Sequence, residues 1–183
     1  MTNDTNLLEP LKLYFGFETF RNNQEAIIRS LMAGHDVFVL MPTGGGKSIC
    51  YQLPALLMDG VAIVLSPLIA QMKNQVDAVR QTRADNCVAH YIYAALTKQE
   101  IVEIMNDVTT GKTKLLYVSP ELFNKDSFVD FLKTVKVSFI AVDEAHCISE
   151  WGHDLVHRNK LHYHGFEKID KAVLIEQFRR DVE

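Results

Sequence analysis

The sequence predicts an α/β protein: a mostly parallel sheet with helices on both faces. Three observations predict it, namely short unbroken apolar runs, helical stretches between them, and a glycine-rich turn directly after the first run. The runs are Val37-Phe-Val-Leu-Met41, Val61-Ala-Ile-Val-Leu65, Leu115-Leu-Tyr-Val118 and Val137-Ser-Phe-Ile-Ala-Val142. They are continuous and rich in β-branched or aromatic residues, as strands buried on both faces are. Ahead of the first run Gln24 to Ala33 places Ile27, Ile28 and Leu31 on one side, and between later runs Lys98 to Val108 places Ile101, Ile104, Met105 and Val108 at helical spacing. Asn6 to Phe15, with Leu7, Leu8, Leu11 and Tyr14, reads as another helix. Strand and helix in alternation imply right-handed βαβ units, whose working loops lie beyond the C-terminal strand ends.

Composition narrows the class. A length of 183 residues suits about one domain. With 48% hydrophobic and 23% charged residues, a real core can form and disordered, collagen-like or disulfide-scaffold readings lose their support. Apolar runs stop well short of the ~18–20 residues of a membrane span, and the start MTNDTNLLEP lacks a basic-then-apolar leader layout, so a cytoplasmic protein is expected. Cys50, Cys87 and Cys147 are odd in number and far apart, fitting neither a disulfide framework nor a paired metal motif. A net charge of −4 gives no bulk attraction to nucleic acid, so any DNA contact must come from a local groove or backbone amides.

Chemistry concentrates at the strand ends. Met41-Pro-Thr-Gly-Gly-Gly-Lys-Ser48 follows a strand and opens a helix expected over 47–57, the setting of a phosphate-binding loop. Around Thr43, Gly44, Gly45 and Gly46 successive amides can turn toward one anion. Lys47 can reach the terminal phosphates, and the Ser48 hydroxyl can ligate Mg²⁺. At the end of the last run, Asp143 can hold the metal while Glu144 orients and deprotonates an attacking water. An acidic helix start would explain two carboxylates, but not their pairing with a phosphate loop. A nucleoside triphosphate and Mg²⁺ are therefore the expected ligands, and hydrolysis of that triphosphate the leading function.

Asp143-Glu144-Ala145-His146, followed by Cys147-Ile-Ser-Glu-Trp-Gly-His-Asp154, resembles the RecQ family of DNA helicases, with a DEAH box. Phe15-Gly-Phe-Glu-Thr-Phe-Arg-Asn-Asn-Gln24 resembles its adenine-binding motif and Met41 to Ser48 its phosphate loop. Leu65-Ser-Pro-Leu-Ile-Ala-Gln-Met-Lys-Asn-Gln75 and Leu116-Tyr-Val-Ser-Pro-Glu-Leu122 resemble two further motifs. The resemblance runs from about residue 7 to 154 and implies a RecA-like P-loop lobe of a 3′ to 5′ DNA helicase of repair or recombination. It implies that Phe17 and Arg21 sandwich adenine and that Gln24 bonds its edge. His146 would couple the ATP and DNA sites, and Trp151 and His153 would stack on bases in an aromatic loop. Ser66-Pro67 and Ser119-Pro120 each follow a strand. A hydroxyl with free amides at a helix start can bind a DNA phosphate, although such pairs also simply cap helices. Lys73 and Gln75 are similarly suggestive, with solvated helix surface as the alternative.

After Asp154 the resemblance stops. The family continues Phe-Arg-Pro-Glu-Tyr, whereas this chain reads Leu155-Val-His-Arg-Asn-Lys-Leu-His-Tyr-His-Gly165. Residues 155–183 are expected to form a divergent tail. In it Leu174, Phe178 and Val182 at i, i+4, i+8 favour a helix over a strand, although Ala172 to Ile175 can pair at a sheet edge. His153, His157, His162 and His164 lack a supporting cysteine or carboxylate constellation, which argues against zinc. Motors of this type work between two lobes, which need about 300 residues at ~150 each. The chain is thus expected to be one lobe, not unwinding DNA alone and lacking its second RecA-like lobe as partner. An inert nucleotide-binding remnant serving as a partner-binding module is the competing reading.

Overall fold

The computed structural model describes residues 6–42, 44–123 and 125–143, and the backbone of 172–178. Helices α1 (Leu8–Phe15) and α2 (Gln24–Met32) precede strand β1 (Val37–Pro42). Then come α3 (Ile49–Leu57), β2 (Val61–Leu65), α4 (Ile69–Arg83), β3 (Ala89–Ile92), α5 (Lys98–Thr109) and β4 (Leu115–Val118). The short α6 (Pro120–Phe123), α7 (Asp126–Leu132), β5 (Val137–Asp143) and β6 (Ala172–Phe178) complete the described chain.

All pairings are parallel and the strand order is β1-β6-β5-β2-β4-β3. Successive strand side chains point to opposite faces, so β2, β3, β4 and β5 each feed two cores. On one face Val39, Ala62, Val64, Tyr117, Phe139 and Ala141 pack with Leu31 of α2, Tyr51 of α3 and Val76 of α4. On the other, Ile63, Leu65, Leu116, Ile140 and Val142 pack with Val108 of α5 and Phe128 of α7. A smaller cluster of Leu7, Leu11, Ile28 and Leu53 seats α1 on α2 and α3. The α/β architecture expected from the sequence is therefore the one observed. Helix α5 starts where its residue pattern demands: Thr97 accepts from the Glu100 amide at 3.2 Å and Glu100 caps the Thr97 amide at 2.8 Å.

Two elements differ from the sequence reading. Strand β3 was not expected. It sits at the sheet edge, and its polar His90 interrupts the apolar run that marks the other strands. The tail, read as helical, is a strand over Ala172–Phe178. Its backbone pairs with β1 from Val37↔Val173 to Pro42↔Phe178 and with β5 from Ile140↔Ala172 to Asp143↔Ile175. A helix satisfies only its own amides. A strand in this slot satisfies the facing N–H and C=O groups of two neighbours as well, and that outweighs a helical spacing of three apolar residues.

Candidate nucleotide-binding site

The site lies at the C-terminal ends of β1 and β5, where a parallel sheet presents its loops. Beyond β1, Gly44 and Gly46 have φ of +78° and +77°, a left-handed conformation that residues with a Cβ adopt only at a cost. Gly45 is required for a different reason: a Cβ there would lie 2.9 Å from the Pro42 carbonyl oxygen. The Gly45 amide closes the turn on that carbonyl at 3.0 Å. The amides of Gly46, Lys47 and Ser48 donate to no backbone carbonyl among the described residues. They stand at the N-terminus of α3, where helix amides favour an anion.

Lys47 supplies the decisive test of fit. Its Nζ is buried and has no hydrogen-bond partner among the described residues. A buried ammonium without an acceptor is costly, and a phosphate oxygen is the natural remedy at a glycine loop. The residues present thus fit a nucleotide phosphate chain. Ser48 and Asp143 offer hard oxygens suited to Mg²⁺, and both are held by one helix. Gln75 of α4 donates to Ser48 Oγ at 2.9 Å, and Gln71 of α4 donates to Asp143 Oδ2 at 2.9 Å. Behind them Gln52 Nε2 donates to Gln75 Oε1 at 2.6 Å and to the Tyr117 hydroxyl at 2.9 Å. Burial, then the neighbouring Tyr117 and Asp143, push the Tyr51 hydroxyl well above its usual pKa, so it stays protonated beside the site. Burial likewise pushes the Cys50 thiol up to about 12, leaving it inert.

Gln75 was expected to contact DNA or to be solvated helix surface, and Gln71 and Gln52 had no expected role. Their side chains instead line the inner wall of the site. The one available signal was the four-residue spacing of Gln71 and Gln75, which puts both on one face of a helix.

On the base side, the Arg21 guanidinium sits 5.7 Å from the centroid of the Phe17 ring. The two expected lips of the adenine sandwich therefore touch one another. Gln24 is buried, accepting from the Arg21 amide at 2.8 Å and donating to the Gly46 carbonyl at 2.9 Å. Its carboxamide braces the phosphate loop rather than presenting an open edge to a base.

The expected phosphate contacts at the two Ser-Pro pairs are not met. Ser66 is 1% and Ser119 5% exposed, and both hydroxyl oxygens are enclosed. Their amides are stitched into the sheet, Ser66 to Val118 and Ser119 to Ile92, each at 3.2 Å. Pro120 is buried too, and only Pro67 is partly exposed. Thr43, Glu144, His146, Trp151 and His153 lie outside the described residues.

A second polar cluster, away from the glycine loop, joins Cys87, His90 and Asp107, whose ligand-capable atoms lie within 4.8 Å of one another. Both imidazole nitrogens are engaged, Nδ1 with Arg80 at 2.9 Å and Nε2 with Asp107 at 3.1 Å. Lys112 adds a second cation 3.4 Å from Asp107. This is a network tying edge strand β3 to α4 and α5, and two cations oppose a metal there.

The model for DEAD/DEAH box helicases matches residues 21–171. The chain belongs to the DEAD/DEAH box helicase family. The match passes Asp154, where the motif resemblance had ended. Within the family, the chain is 47% identical to the ATP-dependent DNA helicase RecQ of Haemophilus influenzae over 147 residues, 80% of this chain and 23% of that protein. It is also 47% identical to RecQ of Bacillus subtilis over 142 residues, 77% of this chain and 24% of that one. The chain thus spans about a quarter of the length of these curated relatives. A hypothetical ATP-dependent RNA helicase from Sulfolobus tokodaii superposes with a TM-score of 0.71 at 18% identity, covering 95% of this chain and 51% of that one. That likeness shows a shared fold. Among the described residues no helix is long and apolar enough to cross a membrane.

Proposed function

We propose that the chain is the ATP-binding lobe of a RecQ-type, 3′ to 5′ DNA helicase of repair or recombination, acting with a second RecA-like lobe and DNA in the complete motor. The observation that carries this reading is the enclosed Lys47 ammonium, which has no hydrogen-bond partner among the described residues, beside a glycine loop whose amides at 46–48 donate to no backbone carbonyl among them. Bound Mg·ATP supplies the bond to be cleaved and a cation that draws charge from its phosphate oxygens. The chain's own part is binding and orientation. Lys47 and the amides of 46–48 hold phosphate oxygens, Thr43 adds to the cradle, and Ser48 and Asp143 hold the cation. Phe17 and Arg21 take the base. Glu144 takes the proton of the attacking water, and His146 links that event to DNA held near Trp151 and His153. That the RecQ relatives are named DNA helicases supports DNA as the substrate class.

An arginine finger from a partner lobe contributes about 10³–10⁵ in rate to phosphoryl transfer. The isolated chain is accordingly expected to bind Mg·ATP, hydrolyse it slowly and not unwind DNA. The test is calorimetric titration with Mg·ATP of the chain and of Lys47→Ala. Replacing a charge-assisted bond is expected to weaken binding roughly 10- to 100-fold. Equal affinity for both proteins, or none for either, would overturn the reading.

A further inference from the structure

We propose that Gln71 and Gln75 are positioning residues that fasten the two metal-facing oxygens of the nucleotide site to helix α4. The inference rests on the reading of Ser48 and Asp143 as Mg²⁺ ligands. The two glutamines are four apart, so they share one face of α4 and stand one turn from each other. Each donates a single amide hydrogen bond of 2.9 Å, one to Ser48 Oγ and one to Asp143 Oδ2. Ser48 follows β1 and Asp143 ends β5, strands that do not neighbour one another, because β6 runs between them. Helix α4 is therefore a common mount for oxygens that the sheet alone keeps on separate strands.

The chemistry of the pair suits this role. A carboxamide donates a hydrogen bond without adding charge, so it fixes a hydroxyl rotor or a carboxylate while leaving the site's charge to the ligand. A lysine would repel a divalent cation, and a glutamate would compete for it. Outer hydrogen bonds of this kind orient ligand oxygens and tune metal affinity. Gln75 is itself held from behind by Gln52, which also bonds the buried Tyr117 hydroxyl. The hold on Ser48 thus runs back into the core.

Both glutamines also line a groove. That groove, of about 510 Å³ along α4, is lined by Leu68, Ala70, Gln71, Asn74, Gln75 and Ala78. Gln71 and Gln75 belong to both the groove and the metal side, so a shift of α4 or a contact in the groove reaches Ser48 and Asp143 through two bonds.

Methionine approximates glutamine in length and shape but cannot donate. The chain carrying Gln71→Met, Gln75→Met or both is titrated with ATP in EDTA and again at graded Mg²⁺ concentrations. In EDTA the double variant is expected to bind ATP within about twofold of the wild type, while the Mg²⁺ concentration for half-maximal enhancement rises about tenfold. A merely structural role would weaken both titrations together, and that result, or an unchanged Mg²⁺ dependence, overturns the proposal. Gln71 is partly exposed, so should the double variant fail to fold, Gln71→Met alone decides, with an expected rise of about threefold. A wild-type chain that binds no ATP under either condition sinks the nucleotide reading itself. ATP binding without any Mg²⁺ enhancement leaves that reading standing and removes only the assignment of Gln71 and Gln75.

Discussion

The Gln24 side-chain amide donates to the Gly46 carbonyl across 2.9 Å, so the residue expected to read the base grips the loop expected to hold the phosphates. Gly46 takes a left-handed φ of +77°, and a Cβ built there would collide with Gln24 Nε2. Base side and phosphate side are thus joined through one buried carboxamide. Gln24→Ala should therefore weaken not only ATP but also inorganic tripolyphosphate, which has no base, by about fivefold, the worth of one buried hydrogen bond. Calorimetry with both ligands checks this. An unchanged tripolyphosphate affinity would return Gln24 to a purely base-reading role.

Phe17 behaves oppositely. Its ring lies under the Arg21 guanidinium at 5.7 Å, whereas a base stacked between them needs about 7 Å, two contact layers of ~3.5 Å. The pair must part to admit adenine, exchanging one cation–π contact for stacking on both faces of the base. Phe17→Ala is expected to lower ATP affinity about five- to tenfold, from a contact of roughly 1 kcal/mol or slightly more. It should leave tripolyphosphate binding unchanged. The same pair of titrations thus separates Phe17 from Gln24.

Much of the fold was legible because strands buried on both faces declare themselves as apolar runs, and because glycines before a Lys-Ser pair have few other uses at a strand end. What stayed hidden was what only the sheet decides. Strand β3 carries His90 in an edge segment of the same length as the legible β4, so its polarity, not its length, kept it from registering as a run. The bonds from Gln71 to Asp143 and from Gln75 to Ser48 span 72 and 27 residues. Neither partner is implied by local pattern, because the fold alone brings α4 across both strand ends. Ser66 and Ser119 erred the other way: a Ser-Pro after a strand has the same spelling whether the hydroxyl faces water or, as here, the interior.

Strand β6 occupies an interior place in the sheet, and a disruption there should therefore reach the site. Proline at position 174 removes a ladder amide and restricts the residue before it, which central strands do not tolerate. Residue 174 pairs with Phe38 on one side and Val142 on the other. Leu174→Pro is expected to cost several kcal/mol, lowering Tm by roughly 10 °C or more. It should weaken Mg·ATP binding too, since β1 and β5 carry the glycine loop and Asp143. Differential scanning calorimetry gives the first number and titration the second. An unchanged Tm would mean that 172–178 is a passenger.

His90 gives the fold a dependence on pH. Burial, reinforced by the Arg80 guanidinium, holds its pKa below the usual 6.5, against the opposing pull of Asp107 and Asp85. The folded protein keeps the ring neutral while the unfolded chain begins to take a proton near pH 6.5, so below that point the unfolded state binds more protons. Stability then falls as pH falls, being complete above about 6.5 and lost as the pH drops through the folded value. Asp107 acts in a separate, lower window. Burial pushes its carboxyl up, but hydrogen bonds from Cys87 and Lys112 and the charges of His90 and Lys112 hold it below 3.8 on balance, so its contribution is lost only in stronger acid. Thermal unfolding from pH 8 to pH 5 should show Tm declining below about 6.5 in the wild type. His90→Gln has no ring to protonate and should flatten that decline, at a somewhat lower Tm throughout. A wild-type curve with the same slope as the variant would remove His90 as the source.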